Sequence, residues 1–166
     1  AHARQAIILS PSQEDPRSDS MVASISFIMN NINPKMDIVA ECLEIKHRSL
    51  FNVSEHIKLV YTLQISNNLL VQEAQDPGVT QLTQAITSNE IEGTLATTKI
   101  ETVSNPDLSY TEYAKNLLDH GINLVGIIRD QNIIVCFDDL CPTKNDQLIY
   151  VSSSRRDWQD LDELLT

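Results

Sequence analysis

The stretch from Leu108 to Ser153 constrains the fold most, because helix, turn and strand signals alternate in it at short range. Tyr110, Ala114, Leu117 and Leu118 recur at helical spacing. Asp119-His120-Gly121 ends that helix, with the glycine where positive φ is tolerated. Asn123 to Arg129 is apolar and β-branched enough for a buried strand, and Asp130-Gln131-Asn132 is turn chemistry. Asn132 to Phe137 is a second strand, so the pair reads as a hairpin. A polar loop from Asp138 to Asp146, containing Pro142, leads to a third strand, Leu148 to Ser152.

The N-terminal half has a different rhythm. Strand signals at Ala6–Leu9, Asp37–Cys42 and Leu59–Thr62 are separated by helix signals. One helix carries Val22, Ile25, Phe27, Ile28 and Met29 on an apolar stripe, with Ser18, Asp19 or Ser20 able to cap it and Asn30–Lys35 stopping it. A helical turn is expected over Glu44–Asn52. Apolar strands alternating with helices indicate a parallel, helix-covered sheet. Next come two helices, one through Leu63, Leu69, Leu70 and Val71, the other through Val79, Leu82, Ala85 and Ile86, with Asp76 as the cap of the second. Glu90 to Val103 reads as one or two strands, and Trp158, Leu161, Leu164 and Leu165 form the apolar face of a closing helix.

A net charge of −11 argues against nucleic acid and anionic lipid as main partners, since phosphate would be repelled. Three cysteines without a C-x-x-C pair argue against a disulfide framework or structural zinc. Cys42 and Cys136 read as small buried residues, and Cys141 as a loop thiol open to reaction. No apolar run approaches the length of a membrane span. The chain starts at Ala1 and runs almost at once into a strand, which reads as a processed product or a fragment. There is no nucleophile elbow, H-E-x-x-H or P-loop, and the four histidines are scattered, so the chain reads as no enzyme.

Two sets of residues, in the right order, resemble one family. Val125-Gly126-Ile127, Pro142, Asp146, Leu148 and Ile149-Tyr150-Val151-Ser152 are similar to the C-terminal subdomain of RCK domains, the KTN or Trk-type cytosolic regulators of potassium conductance. Ala3 to Leu9, Asp19, Asn33-Pro34-Lys35 and Ile38-Val39-Ala40-Glu41 resemble the family's N-terminal half. The family's Rossmann half starts with a strand, a G-x-G-x-x-G turn and a later acid. None of Gly78, Gly93, Gly121 and Gly126 lies in such a turn, so nucleotide binding is not expected of this piece.

The resemblance implies an α/β fold: residues 1–62 as the back half of a Rossmann-like partial parallel sheet, 63–88 as a helical crossover and dimer contact, and 89–166 as a small α+β C-terminal subdomain that senses ligand. In calcium-gated members the glutamate of I-x-A-E is a metal ligand, and Glu41 matches it. Those members add acids at the end of the preceding strand and two residues beyond the glutamate, where this chain has Leu9 or Ser10, and Leu43. Glu14, Asp15 or Asp19 is near enough to substitute. Some calcium-activated members use an acidic loop in the C-terminal subdomain, for which Asp138 and Asp139 are the candidates, followed by Asp146. Calcium calls for six to eight hard oxygens, so carboxylates are the residue type to look for.

The expected function is that of a cytosolic gating module of a potassium channel or transporter, responding to Ca²⁺ or to a nucleotide. It would form a homo-oligomer through 63–88 and act at the cytoplasmic face of the membrane on a membrane-embedded potassium pore. One alternative is a soluble nucleotide-binding subunit that docks on a separate transporter. A more distant one is a truncated Rossmann oxidoreductase, against which the lack of a catalytic Ser/Tyr/Lys or His/Asp arrangement counts.

Overall fold

The computed structural model describes residues 3–51, 54–88, 93–137 and 140–165. The chain divides into two compact units, Ala1–Thr80 and Gln81–Thr166, so α2 belongs with the first unit and most of α3 with the second.

In the first unit, β1 (Gln5–Ile8), β2 (Asp37–Glu41) and β3 (Ile57–Val60) form a parallel sheet in the order β1-β2-β3. The β-branched residues Ile7, Ile8, Ile38, Val39, Ile57 and Val60 favour these strands. Helix α1 (Ser18–Ile32) crosses back from β1 to β2. Its buried residues Ser18, Asp19, Val22, Ala23 and Ser26 make a narrow face of small side chains, which lets helix and sheet approach closely. Val22, Ile8, Ile38, Ala40, Met36 and Phe51 fill the core between them. Ile38, fully buried, contributes roughly 1.5–3 kcal/mol. A 3-10 helix, Ile45–Phe51, follows β2 and supplies Phe51.

Helices α2 (Thr62–Gln75) and α3 (Val79–Thr87) come next, and neither has a buried residue. Both carboxylate oxygens of Glu73 cap α3, accepting the N–H groups of Gly78 at 2.9 Å and Thr80 at 2.8 Å. Glu73 therefore takes the capping role expected of Asp76, whose carbonyl accepts from Val79 instead. These N–H bonds hold the Glu73 carboxyl below the usual carboxylate range.

The second unit holds an antiparallel sheet, β4 (Thr94–Lys99), β5 (Asn123–Arg129), β6 (Asn132–Ile134) and β7 (Gln147–Ser152), in the order β4-β7-β5-β6. Helix α4 (Tyr110–Leu118) and helix α5 (Trp158–Leu164) contribute Tyr110, Tyr113, Leu117, Trp158 and Leu161 to its core. A reciprocal capping box between Ser109 and Glu112 starts α4. Gly121, at φ +72°, ends it as expected. The β5–β6 hairpin turns through Asp130 at φ 50° and Gln131 at φ 67°, both left-handed. A Cβ on Gly126 would lie 2.9 Å from the Ile134 carbonyl oxygen, so only glycine lets the strand pair close there. The second strand is shorter than expected. It ends at Ile134, which leaves Cys136 exposed rather than buried. Tyr150 and Trp158 are core residues, as their setting implied.

Candidate functional site: carboxylates at the strand ends

Parallel sheets bind ligands at the carboxyl ends of their strands. Here that edge carries two carboxylates, each already bonded within the protein. Glu41 ends β2. Its Oε2 accepts the N–H of Ser10, just past β1, at 2.7 Å, and its Oε1 accepts the Thr62 hydroxyl, at the first residue of α2, at 2.7 Å. One side chain thus fastens the exit of β1, the end of β2 and the start of α2.

Asp19 lies in the first turn of α1 and is 2% exposed. It does not cap its own helix, since no side chain caps α1. It reaches instead to the segment after β2. Oδ1 accepts the N–H of Leu43 at 2.8 Å, and Oδ2 accepts the N–H of Glu44 at 3.1 Å and lies 2.8 Å from His47 Nδ1. Burial pushes this carboxyl up, but the Leu43 N–H, the His47 imidazole and the Glu44 N–H outweigh it, leaving Asp19 below the usual range. The Cys42 thiol lies 3.2 Å from the Glu44 carbonyl oxygen. Burial and the neighbouring Asp19 charge push it up to about 11, so it is no nucleophile at neutral pH.

As arranged, these oxygens hold strand and loop ends rather than converge on one point. Among the described residues no group of three or more His, Cys, Asp and Glu side chains could hold a metal ion. A site with six to eight oxygens would have to recruit others. Asp138 and Asp139 lie outside the described residues.

Asp146 belongs to a different centre, in the second unit. It is 2% exposed, and its carboxylate accepts from Arg129 Nε at 3.0 Å, Arg129 Nη2 at 2.6 Å, Tyr110 Oη at 2.6 Å and the Thr143 N–H at 2.9 Å. A second bond from Arg129 Nη2, to the Cys141 carbonyl at 2.7 Å, ties down the loop before β7. Burial raises the Asp146 carboxyl, but Arg129, Tyr110 and Thr143 together bring it below its ordinary range. In turn, burial and the Asp146 charge push the Tyr110 phenol up. With each of these donors internal and Arg129 bidentate, this is a structural centre.

Sequence reading singled out Glu41 and Asp19 but not their partners. His47 stands 28 residues from Asp19 and read as one scattered histidine. Arg129 stands 17 residues from Asp146, with no spacing signal to join them. A lone arginine ending an apolar strand and a lone aspartate preceding one were the available signs.

No family model matches the chain, and no curated protein does. Solved structures do match. The human SLO3 gating ring aligns at TM-score 0.70 and 13% identity, over 92% of this chain and 33% of that one. The GsuK channel bound to NAD aligns at TM-score 0.39 and 12% identity, over 96% of this chain and 27% of that one. The GsuK RCK domain aligns at TM-score 0.37 and 14% identity, over 98% of this chain and 33% of that one. The SLO3 likeness establishes the fold, and the GsuK pair adds no argument at those scores. This chain spans about a third of the gating-ring chain it matches. The expected α/β fold, a Rossmann-like partial parallel sheet followed by a small α+β subdomain, is therefore borne out.

Proposed function

We infer, from the RCK-type fold as premise, that the chain is a cytosolic regulatory module of a potassium channel or transporter. The observation that carries this reading is the match to the SLO3 gating ring over 92% of the chain. Gating by such a module needs two arrangements of an assembly and a ligand that binds one of them more tightly.

Assembly is proposed through residues 63–88. Leu70 and Val71 on α2 are 70% and 56% exposed, and Leu82 on α3 is 62% exposed. Large apolar side chains on helices without a buried residue are suited to a second copy. The sensed ligand is proposed to be a cation such as Ca²⁺, at Glu41 with Asp19, which reaches the segment just after β2, or at Asp138 and Asp139, or else a nucleotide bound outside this piece. At Glu41 the reading has a mechanical consequence. An ion taking the two carboxylate oxygens competes with Ser10 and Thr62, and so loosens the tie between the sheet edge and the start of α2.

Calorimetric titration of Ca²⁺ into the 166-residue chain and its Glu41→Gln variant tests this. The expected result is saturable binding that weakens about tenfold or more in the variant. Unchanged affinity removes Glu41 as the ligand.

A further inference from the structure

Two of the chain's three cysteines, Cys136 and Cys141, are exposed in the second unit, while Cys42 is buried in the first. Their thiols take no part in the carboxylate edge or the Asp146 centre, and the regulatory reading assigns them no role. The chain reverses between them. Strand β6 runs away from Arg129, since Arg129 pairs with Asn132 and Ile127 with Ile134. Val135 keeps to that line, lying against Gly126. By Cys141 the chain has come back, because the Cys141 carbonyl accepts from Arg129 Nη2 at 2.7 Å. The reversal is closed by the Leu140 N–H, which donates to the Phe137 carbonyl at 2.7 Å. A bond of that kind, from one residue to the third before it, goes with Cα atoms less than about 7 Å apart.

Both residues joined by that bond face inward. Phe137 packs on Tyr110, ring centroids 5.9 Å apart, and Leu140 packs against the same core. The Leu140 carbonyl is also pinned, accepting the Tyr110 N–H at 2.9 Å. Side chains alternate in direction along an extended chain. Cys136 and Cys141 stand one position outside each end of the bonded pair, so both turn outward, in agreement with their exposure. Residues facing each other across such a reversal lie about 4.5–5.5 Å apart at Cα, within the roughly 4.4–6.8 Å that a disulfide spans.

We propose that Cys136 and Cys141 form a reversible dithiol–disulfide site, oxidised by a low-molecular-weight disulfide of the glutathione class. The thiolate of one cysteine attacks a sulfur of the small disulfide, whose S–S bond breaks and releases one thiol. The second cysteine attacks the mixed disulfide, which forms the Cys136–Cys141 bond and releases the other thiol. Two electrons pass from the cysteine pair to the reagent, and the two cysteine protons end on the two released thiols. The bond joins the end of β6 to the segment held by Arg129, so oxidation tightens the second unit. An exposed disulfide is open to reductant, which suits a reversible bond rather than a permanent staple. Cys42 stays out of the exchange, being buried with its thiol pushed up to about 11.

The test places the full 166-residue chain in graded mixtures of oxidised and reduced glutathione and reads intact and peptide masses. The expected product has lost about 2 Da, carries the Cys136–Cys141 link without bound glutathione, and returns to the dithiol on reduction. Its thermal midpoint should lie above that of the reduced chain. Cys136→Ser and Cys141→Ser, each at an exposed position, should match the wild type in circular dichroism and hold one glutathione on the remaining exposed thiol. Because the second thiol reacts within the chain, the wild type should oxidise at about tenfold or more lower oxidised glutathione than either variant. Separate glutathione adducts on both cysteines of the wild type, a link between two chains or to Cys42, or a pair no more readily oxidised than the single thiols would overturn the proposal.

Discussion

The two units bury themselves to different degrees. In the second, α4 and α5 pack on the antiparallel sheet, and its deepest charge, Asp146, has all its strong partners inside the unit. In the first, α1 covers one face of a parallel sheet while Ile7 on β1 stays 74% exposed. Along α1, Met21, Ile25, Ile28 and Ile32 recur at helical spacing as a second apolar stripe, rising to 76% exposure at Ile32. An antiparallel sheet tolerates one open face, whereas parallel strands are normally covered on both. The contrast teaches that the second unit pairs its deepest charge internally and packs two helices on its sheet, while the first leaves a strand face and a helix stripe uncovered by its own elements.

That contrast can be broken by substitution. The largest effect is expected from Arg129→Ala, which leaves the Asp146 carboxylate buried without its bidentate partner. Thermal or urea unfolding should show a loss of roughly 3–5 kcal/mol. Amide exchange should localise the loss to the second unit. A comparable drop in protection across the first unit would mean that the units are not independent.

Asp19→Ala should cost less, about 2–3 kcal/mol, by stranding the Leu43 and Glu44 N–H groups. Here the lost exchange protection belongs to the segment after β2. Acid acts on both centres with one sign. The folded carboxyls of Asp19 and Asp146 lie below the ordinary value. Their contribution is present above the unfolded carboxylate range, and it fades as pH falls through the lower folded values. Wild-type stability should therefore drop below about pH 4, and Asp19→Ala should show a shallower drop in the first unit. The same acid dependence in Asp19→Ala would discount this carboxylate.

The smallest effect sharpens the hairpin. Gln131 adopts φ 67°, a conformation that glycine takes up without strain. Gln131→Gly relieves left-handed strain of about 1–2 kcal/mol and adds roughly 0.5–1 kcal/mol of chain entropy to the unfolded state, so a small net gain is expected, read as a higher denaturant midpoint with an unchanged slope.

Much of this architecture could be read from the residues, because its signals are local. The strand alternation around Ile38 and Leu148, the stop at Gly121 and the turn at Asp130-Gln131 each lie within a few positions of what they determine. The order of a parallel-sheet half and an α+β half followed from short motifs around Glu41 and Ile149-Tyr150. What stayed hidden depends on contacts made through space. Asp19 read as a helix cap or a substitute calcium ligand, yet it is a buried anchor, because its donors sit on a segment more than 20 residues away. Glu73 capping α3 and Cys136 falling beyond the end of β6 also depend on where a chain turns rather than on residue type. Glu41 was placed correctly at its strand end, but Ser10 and Thr62 as its partners required the register of all three strands.

The central claim is that apolar surface left uncovered on this chain exists for assembly, and sedimentation equilibrium tests it most directly. The wild-type chain should form a dimer or larger species, and Leu70→Glu/Val71→Glu on α2, at positions 70% and 56% exposed, should dissociate it to a monomer with unchanged circular dichroism. A wild-type chain that stays monomeric at high concentration, or a doubly charged α2 that assembles like the wild type, would contradict the account.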